Sequence, residues 1–202
     1  KVNSNYHKSL INSDYVFFDS GFFVLLLRFF KNINVQKLSG YKFLDFYFNY
    51  LKINKKKIFS IDPNKELSNS YRLFFKKKIK IKSFHYIAPK YNLRIKINKN
   101  LIKRIHDSKA KEIIINIGGG TQEILGYYLS KKLNKKYKIV CTGAAIAFFT
   151  GDQSPINNNI DKLYLGWLFR IIYNPKIFLP RYLSAFKLFF LFIRKKNTIS
   201  LH

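Results

Sequence analysis

Two stretches of this chain hold residue types at spacings that could do chemistry. The first is Asp19-Ser20-Gly21, which follows the short apolar run Tyr15 to Phe18. A carboxylate at the C-terminal end of a strand, just before a glycine, sits where open parallel sheets place their ligands. It could accept a proton there, or Asp19 or Ser20 could simply cap the helix that follows; from spacing alone the cap is the simpler reading. The second stretch is Gly118-Gly119-Gly120-Thr121-Gln122-Glu123, directly after Ile113-Ile114-Ile115-Asn116-Ile117. Glycines let the backbone turn sharply and approach a ligand closely. A strand, a glycine turn and a helix together aim backbone N–H groups at an anion, often a phosphate. The turn lacks both the GxGxxG fingerprint and the Gly-Lys-Ser/Thr ending of a P-loop, so a tight turn with no ligand fits the pattern equally well.

The elements that must position these residues alternate along the chain. The β-branched run at 113–117 reads as a strand buried on both faces, the mark of a parallel sheet with helices above and below. Thr121 is the expected N-cap of a helix from Gln122 to Leu133. Strands are expected at Tyr15–Phe18, Ile58–Ile61, Ile79–Tyr86 (near an edge, because lysine and isoleucine alternate) and Lys138–Cys141, the last closed by Thr142-Gly143. Helices are expected at Phe22–Phe30, Tyr41–Leu51, Glu66–Lys77 and Lys99–Ala110. Residues 1–12 are polar and carry no clear signal. This alternation predicts an α/β class: a Rossmann-like, doubly wound, mainly parallel sheet.

The chain has 202 residues, 48% hydrophobic and 18% aromatic, enough for one α/β domain with a real core and not a disordered composition. Its 38 Lys+Arg against 10 Asp+Glu give a net charge of +28. An AT-rich genome would supply many of the lysines without selection. It accounts less well for the scarcity of acids, so the charge points to an anionic partner: nucleic acid, anionic lipid or a phosphorylated substrate. A lone cysteine, Cys141, excludes an internal disulfide and reads as a small buried hydrophobe. No zinc cluster is available. No methionine is present, not even at position 1, so the sequence reads as a fragment or processed form. The longest apolar runs, Phe22–Phe30 broken by Arg28 and Leu188–Ile193, fall short of the roughly 20 residues that span a bilayer.

The last third has a different character. A polar loop, Gly151–Asn159, leads to an expected helix at Ile160–Tyr173 carrying the only tryptophan, Trp167, and then to a helix at Lys176–Lys195. No acid follows Asp161, whereas Lys162, Arg170, Lys176, Arg181, Lys187, Arg194, Lys195 and Lys196 do. Bases interleaved with Leu183, Phe186, Phe189, Phe190 and Phe192 suit a membrane surface rather than a span. A core helix with solvated lysines is the plainer alternative. The expected division is a core over 1–159 and a helical basic appendage over 160–202.

Several segments, in order, resemble the WecG/TagA/CpsF glycosyltransferase family. Members carry Leu-Glu-Trp-x-x-Arg, then Glu-Pro, then Arg-Tyr-Leu. This chain has Leu165-Gly166-Trp167-Leu168-Phe169-Arg170, Asn174-Pro175-Lys176 and Arg181-Tyr182-Leu183. The family's Gly-x-Pro-Lys-Gln-Glu turn is similar to Gly118–Glu123, and its Gly-x-x-Phe-Asp-x-x-x-Gly segment to Gly143–Gly151. Its Asp-Gly after a short strand is similar to Asp19-Ser20, with Gly40 following where members read Val-x-Gly-x-Asp. Thr121 stands where members have Lys, Ala147 and Gly166 where they have Asp and Glu, and Asn174 where they have Glu. Altered sugar specificity and lost activity are both open readings of these departures.

The resemblance implies an inverting enzyme of bacterial cell-envelope polysaccharide synthesis, peripheral on the cytoplasmic face of the membrane, with no cofactor and no required metal. It implies transfer of N-acetylmannosamine or a related sugar from a UDP-sugar donor to a lipid-diphosphate-linked acceptor. Such a reaction needs a base for the acceptor hydroxyl and fixed positive charge for the leaving UDP. The resemblance makes Asp19 the base and Arg170 a catalytic cation. It assigns Gly118, Gly119, Gly120, Thr121, Gln122, Glu123, Gly143, Trp167 and Arg181 to substrate binding. Its partners are thus the donor, the acceptor and an anionic membrane surface, with a second copy of the chain left open. Rival readings are a basic nucleic-acid-binding protein, disfavoured because no RNA-binding pattern is present, a Rossmann-like methyltransferase, whose glycine turn belongs after the first strand, and an inactive glycosyltransferase-like scaffold.

Overall fold

The computed structural model describes residues 4–91 and 99–151, together with helical positions scattered from 168 to 190. The chain divides into two compact units. One comprises Lys1–Val16 with Gly40–Gln153, the other Phe17–Ser39 with Ser154–His202.

The first unit contains the sheet. Strands β1 (Ile58–Asp62), β2 (Ser83–Ile87), β3 (Glu112–Ile115) and β4 (Lys138–Cys141) are all parallel, in the order β2-β1-β3-β4. Every residue of β1 and β3 is buried, as the isoleucine run predicts. Parallel strands need long crossovers, and helices make them. The chain leaves β1 toward β2, then returns past β1 to place β3 on its other side. This reversal opens a crevice between the C-terminal ends of β1 and β3, where doubly wound sheets bind ligands.

Alternate side chains feed two cores. Phe59, Ile61, Ile113 and Ile115 pack with Leu101 and Ile105 of α5 (Lys99–Ser108) and with Leu125 and Leu129 of α6 (Thr121–Lys132). Ile58 and Ile114 face the other way. They meet Leu44, Phe48 and Leu51 of α3 (Gly40–Ile53) and Tyr71 and Phe74 of α4 (Lys65–Phe74). The α3 contacts recur at helical spacing, which is what makes one face of that helix bury. Burying each such side chain is worth roughly 1.5–3 kcal/mol.

Several sequence expectations shift. The helix expected to run to Lys77 loosens after Phe74 into a π-turn, Phe75–Ile79, and Lys80 adopts φ 59°. β2 therefore starts at Ser83 rather than Ile79, and it is an edge strand as expected. Polar residues 4–11 form a helix, α1 (Ser4–Ile11). Tyr15–Phe18 is not a strand. Its pairing is a single parallel bridge, Phe18 to Lys37, and its side chains are exposed. One bridge cannot extend a ladder, so the apolar run stays irregular. It leads into α2 (Gly21–Lys31) of the second unit.

Gly126 shows how closely α6 lies on β4. A Cβ there would sit 2.8 Å from Cys141 Sγ. In an open helix, Gly→Ala stabilises by about 1 kcal/mol. Here Gly126→Ala should instead destabilise by about 1–3 kcal/mol in urea titrations. Adding Cys141→Ala should recover most of that loss, because the sulfur is the atom in the way.

Candidate active site

The C-terminal ends of β3 and β4 build the turn that the glycines signal. β3 ends at Ile115, and Asn116 continues it by donating its N–H to Ile61 O at 2.9 Å. Gly118 and Gly119 follow, and a Cβ built at either would meet no described residue within 4 Å, so the turn is open on that side among the described residues. Gly120 has φ 85°, a conformation that favours glycine.

The expected cap at Thr121 is displaced by one residue. Gly120 occupies the N-cap position and Thr121 is the first helical residue of α6. Glycine has no side chain to cap with, so Glu123 reaches back and accepts the Gly120 N–H through Oε2 at 2.6 Å. A carboxylate in the first helical turn also suits the helix dipole.

Gln122 is buried, and its amide joins two turns. Oε1 accepts the Gly143 N–H at 2.6 Å, and Nε2 donates to Glu123 Oε1 at 2.9 Å. Gly143, at φ 57°, closes β4 and begins a 3₁₀ turn, Gly143–Ile146, ahead of α7 (Ala147–Thr150). The structure therefore brings Gly118, Gly119, Gly120, Thr121, Gln122, Glu123 and Gly143 together in one small frame. Cys141 borders it, its Sγ 3.4 Å from Gln122 O. Burial, and secondarily the charge of Glu123, pushes the Cys141 thiol up to about 12, so at neutral pH it is not a nucleophile.

Two buried polar atoms in this region have no hydrogen-bond partner among the described residues: Asn116 Oδ1 and Thr142 Oγ1. Ile115 and Cys141 are register partners, so Asn116 and Thr142 come next on neighbouring strands, beside the glycine turn. Buried groups are ordinarily paired, which leaves hydrogen-bonding capacity at the mouth of the sheet. Sequence reading missed a further polar group there. Asp62, the last residue of β1, is wholly buried and bonds Ser60 Oγ at 2.5 Å and His85 Nδ1 at 2.7 Å. Its signal was a carboxylate ending a strand before Pro63-Asn64. Among the described residues, no three His, Cys, Asp or Glu side chains are placed to hold a metal ion.

Asp19 belongs to the second unit. It is exposed and follows the Phe18 bridge. Ser20 is the residue that caps α2, its hydroxyl accepting the Phe23 N–H at 3.3 Å. Of the two capping candidates, the serine is the N-cap. Trp167, Arg170 and Arg181 lie outside the described residues, as do Gly166 and Asn174.

A sequence model of the glycosyl transferase WecG/TagA/CpsF family matches residues 1–200 of the 202. The chain belongs to this family. The match spans both the parallel sheet and the basic C-terminal third, and a Rossmann-like fold is what the sheet shows. The family's activity is glycosyl transfer in cell-surface polysaccharide synthesis. No curated protein matches the sequence. Among the described residues, no helix of this family member is long and apolar enough to cross a membrane.

Gln122→Ala should loosen this frame even without ligand. It leaves the Gly143 N–H without its acceptor, at a cost of about 1–3 kcal/mol. Urea denaturation should show that loss, and hydrogen exchange should quicken at Gly143.

Proposed function

We propose that the protein is an inverting glycosyltransferase that moves N-acetylmannosamine or a related sugar from a UDP donor to a lipid-diphosphate-linked sugar. The observation that carries this reading is the open glycine turn at the C-terminal end of a central parallel strand, with unpaired buried polar atoms beside it. Such a turn suits a diphosphate, because backbone N–H groups can approach the oxygens with no side chain between. Gln122 and Glu123 hold the turn in shape, and Gly143 anchors the far side.

In this reading the Asp19 carboxylate takes the proton of the acceptor hydroxyl. The hydroxyl oxygen attacks the anomeric carbon as the bond to UDP breaks, which inverts that carbon. Backbone donors of 118–120, with Arg170 and Arg181, meet the charge developing on the departing UDP. Trp167 and Thr121 serve in substrate binding.

Asp19→Asn should abolish transfer, assayed with a panel of UDP-sugars and a lipid-diphosphate acceptor. General-base losses of about 10²–10⁴-fold are usual, while UDP affinity by calorimetry should hold. Activity within a few-fold of the parent would remove Asp19 from the mechanism. UDP affinity should fall in Gln122→Ala, through loss of the turn's shape.

The reading also places the protein on the inner membrane face. Supporting it, Leu168, Ile172, Leu179, Leu183 and Phe190 are exposed at helical positions. Lys162, Arg170, Lys176, Arg181 and Lys187 are interspersed with them. Each base near an anionic surface contributes on the order of 1 kcal/mol, and the apolar face adds to it. Replacing Leu179, Leu183 and Phe190 with serine should release the protein from anionic vesicles in flotation assays at low salt. Retention of binding would show that charge alone holds it, as it would on RNA.

A further inference from the structure

Away from the glycine turn, the exposed edge of the sheet carries a second set of reactive groups. We propose that Ser83, His85 and Asp62 form a nucleophilic relay, and that the groove along the β2 edge is a second active site hydrolysing carboxylic esters that carry a negative charge. The proposal is independent of the glycosyl-transfer reading.

Ser83 and His85 are two residues apart on β2 and so share one face. Across the ladder Ser83 pairs with Ile58, His85 with Ser60, and Ile87 with Asp62. This register sets Asp62 behind the histidine. His85 Nδ1 lies 2.7 Å from Asp62 Oδ2, and Nε2 lies 2.9 Å from Ser83 Oγ. Both the His85 and Asp62 side chains are almost wholly buried, at 1% and 0% exposure.

The hydrogen bonds decide the tautomer. Asp62 Oδ1 accepts from Ser60 Oγ at 2.5 Å and from Asn116 Nδ2 at 3.3 Å, and Asn116 Nδ2 also donates to Ser60 Oγ at 2.9 Å. Oδ2 is the oxygen that faces the ring. An ionised carboxylate only accepts, so Nδ1 carries the imidazole hydrogen. In the neutral ring Nε2 then presents its lone pair to the Ser83 hydroxyl. A nucleophile on a base, and the base on a buried carboxylate, is the arrangement that activates a serine.

The serine is also reachable. Ser83 is half-buried and, with His85, Phe59 and Phe84, lines an open groove of about 450 Å³. Arg72 of α4 and Arg104 of α5 line the same groove, two cations against the single carboxylate of Asp107. Arg104 is held there by its Nη2 contact to His85 O at 3.3 Å and by stacking on the Tyr86 ring at 5.3 Å. The guanidinium groups supply donors for an oxyanion, and their charge selects an anionic substrate.

In the reaction, Ser83 Oγ attacks the ester carbonyl carbon and its proton passes to His85 Nε2. The carbonyl electrons move onto the oxygen, opposite the guanidinium groups. Collapse expels the alcohol oxygen, which takes the proton back from Nε2. Water then attacks the acyl-serine with His85 again as base, releasing the acid and restoring Ser83. Ester and water give acid and alcohol.

The test exposes the intact chain to an alkyl fluorophosphonate and maps the adduct by mass spectrometry, with a known serine hydrolase as internal control. Ser83 should be modified, and Ser83→Ala should be unmodified with an unchanged melting temperature. His85→Gln should slow labelling by about 10²-fold or more. Hydrolysis of a 4-nitrophenyl succinate monoester should exceed that of 4-nitrophenyl acetate, and Arg72→Gln with Arg104→Gln should remove the preference. An unmodified Ser83 beside a fully labelled control overturns the proposal, as does labelling at the parental rate in His85→Gln. If His85→Gln does not fold, the Ser83→Ala comparison of ester hydrolysis decides alone: equal rates in parent and variant overturn it.

Discussion

The constraint on which the first unit depends is that β1 and β3 have no solvent face. Every residue of both strands is buried. Backbone groups there can pair only with neighbouring strands, and side chains only with helices above and below. Helical crossovers follow, and with them the parallel direction and the reversal of strand order. Polar groups then have nowhere to act except at the strand ends and the sheet edges. The glycine turn, Asn116 and Thr142 occupy the first kind of place, and Ser83 with His85 the second.

The charge is accommodated in a way that leaves the sheet untouched. Several lysines lie over aromatic rings: Lys111 over Tyr137 at 3.9 Å, Lys138 over Tyr50 at 5.0 Å, Lys131 over Tyr127 at 5.3 Å. A ring face attracts the ammonium while the aliphatic stem packs on its edge. Lys138 has a second role. It lies 3.9 Å from the buried Glu112, which also accepts from Tyr47 Oη at 2.7 Å. Burial, then that carboxylate, drives the Tyr47 hydroxyl well above its ordinary range, so it remains a donor. A chain this basic thus keeps its few buried acids paired.

The elements that read clearly in the sequence were those with one dominant period. The isoleucine run of β3 and the stripe on α3 each follow from burial, which is a pattern along the chain. What the sequence hid depended on partners far away in it. Tyr15–Phe18 has strand-like residues, but its one β-bridge among the described residues is Phe18 to Lys37. Ile79 has strand-like neighbours, yet the backbone of Ile81 bonds Phe75 O and draws that stretch into the π-turn's end. At the site, the glycine turn was legible because glycine advertises backbone geometry. The work of Gln122 was not, because its acceptor oxygen serves Gly143, twenty-one residues on. Asp62 and His85 are separated by twenty-three residues and meet only through the β1–β2 register.

The departures from the family pattern gain meaning when set on this frame. On the resemblance, Thr121, the first residue of α6, stands where members have lysine, and Ala147, the first residue of α7, where they have aspartate. Neither side chain takes part in the side-chain bonds that shape the turns: those run from Gly120 to Glu123, from Gln122 to Glu123 and from Gly143 to Gln122. Ala147 is buried beside Ala145 and Ile146, in surroundings where an unpaired carboxylate would cost several kcal/mol. An aspartate there is tolerable only when a ligand or neighbour satisfies it. Without that aspartate and the lysine, the side-chain bonds that hold the turns are whole.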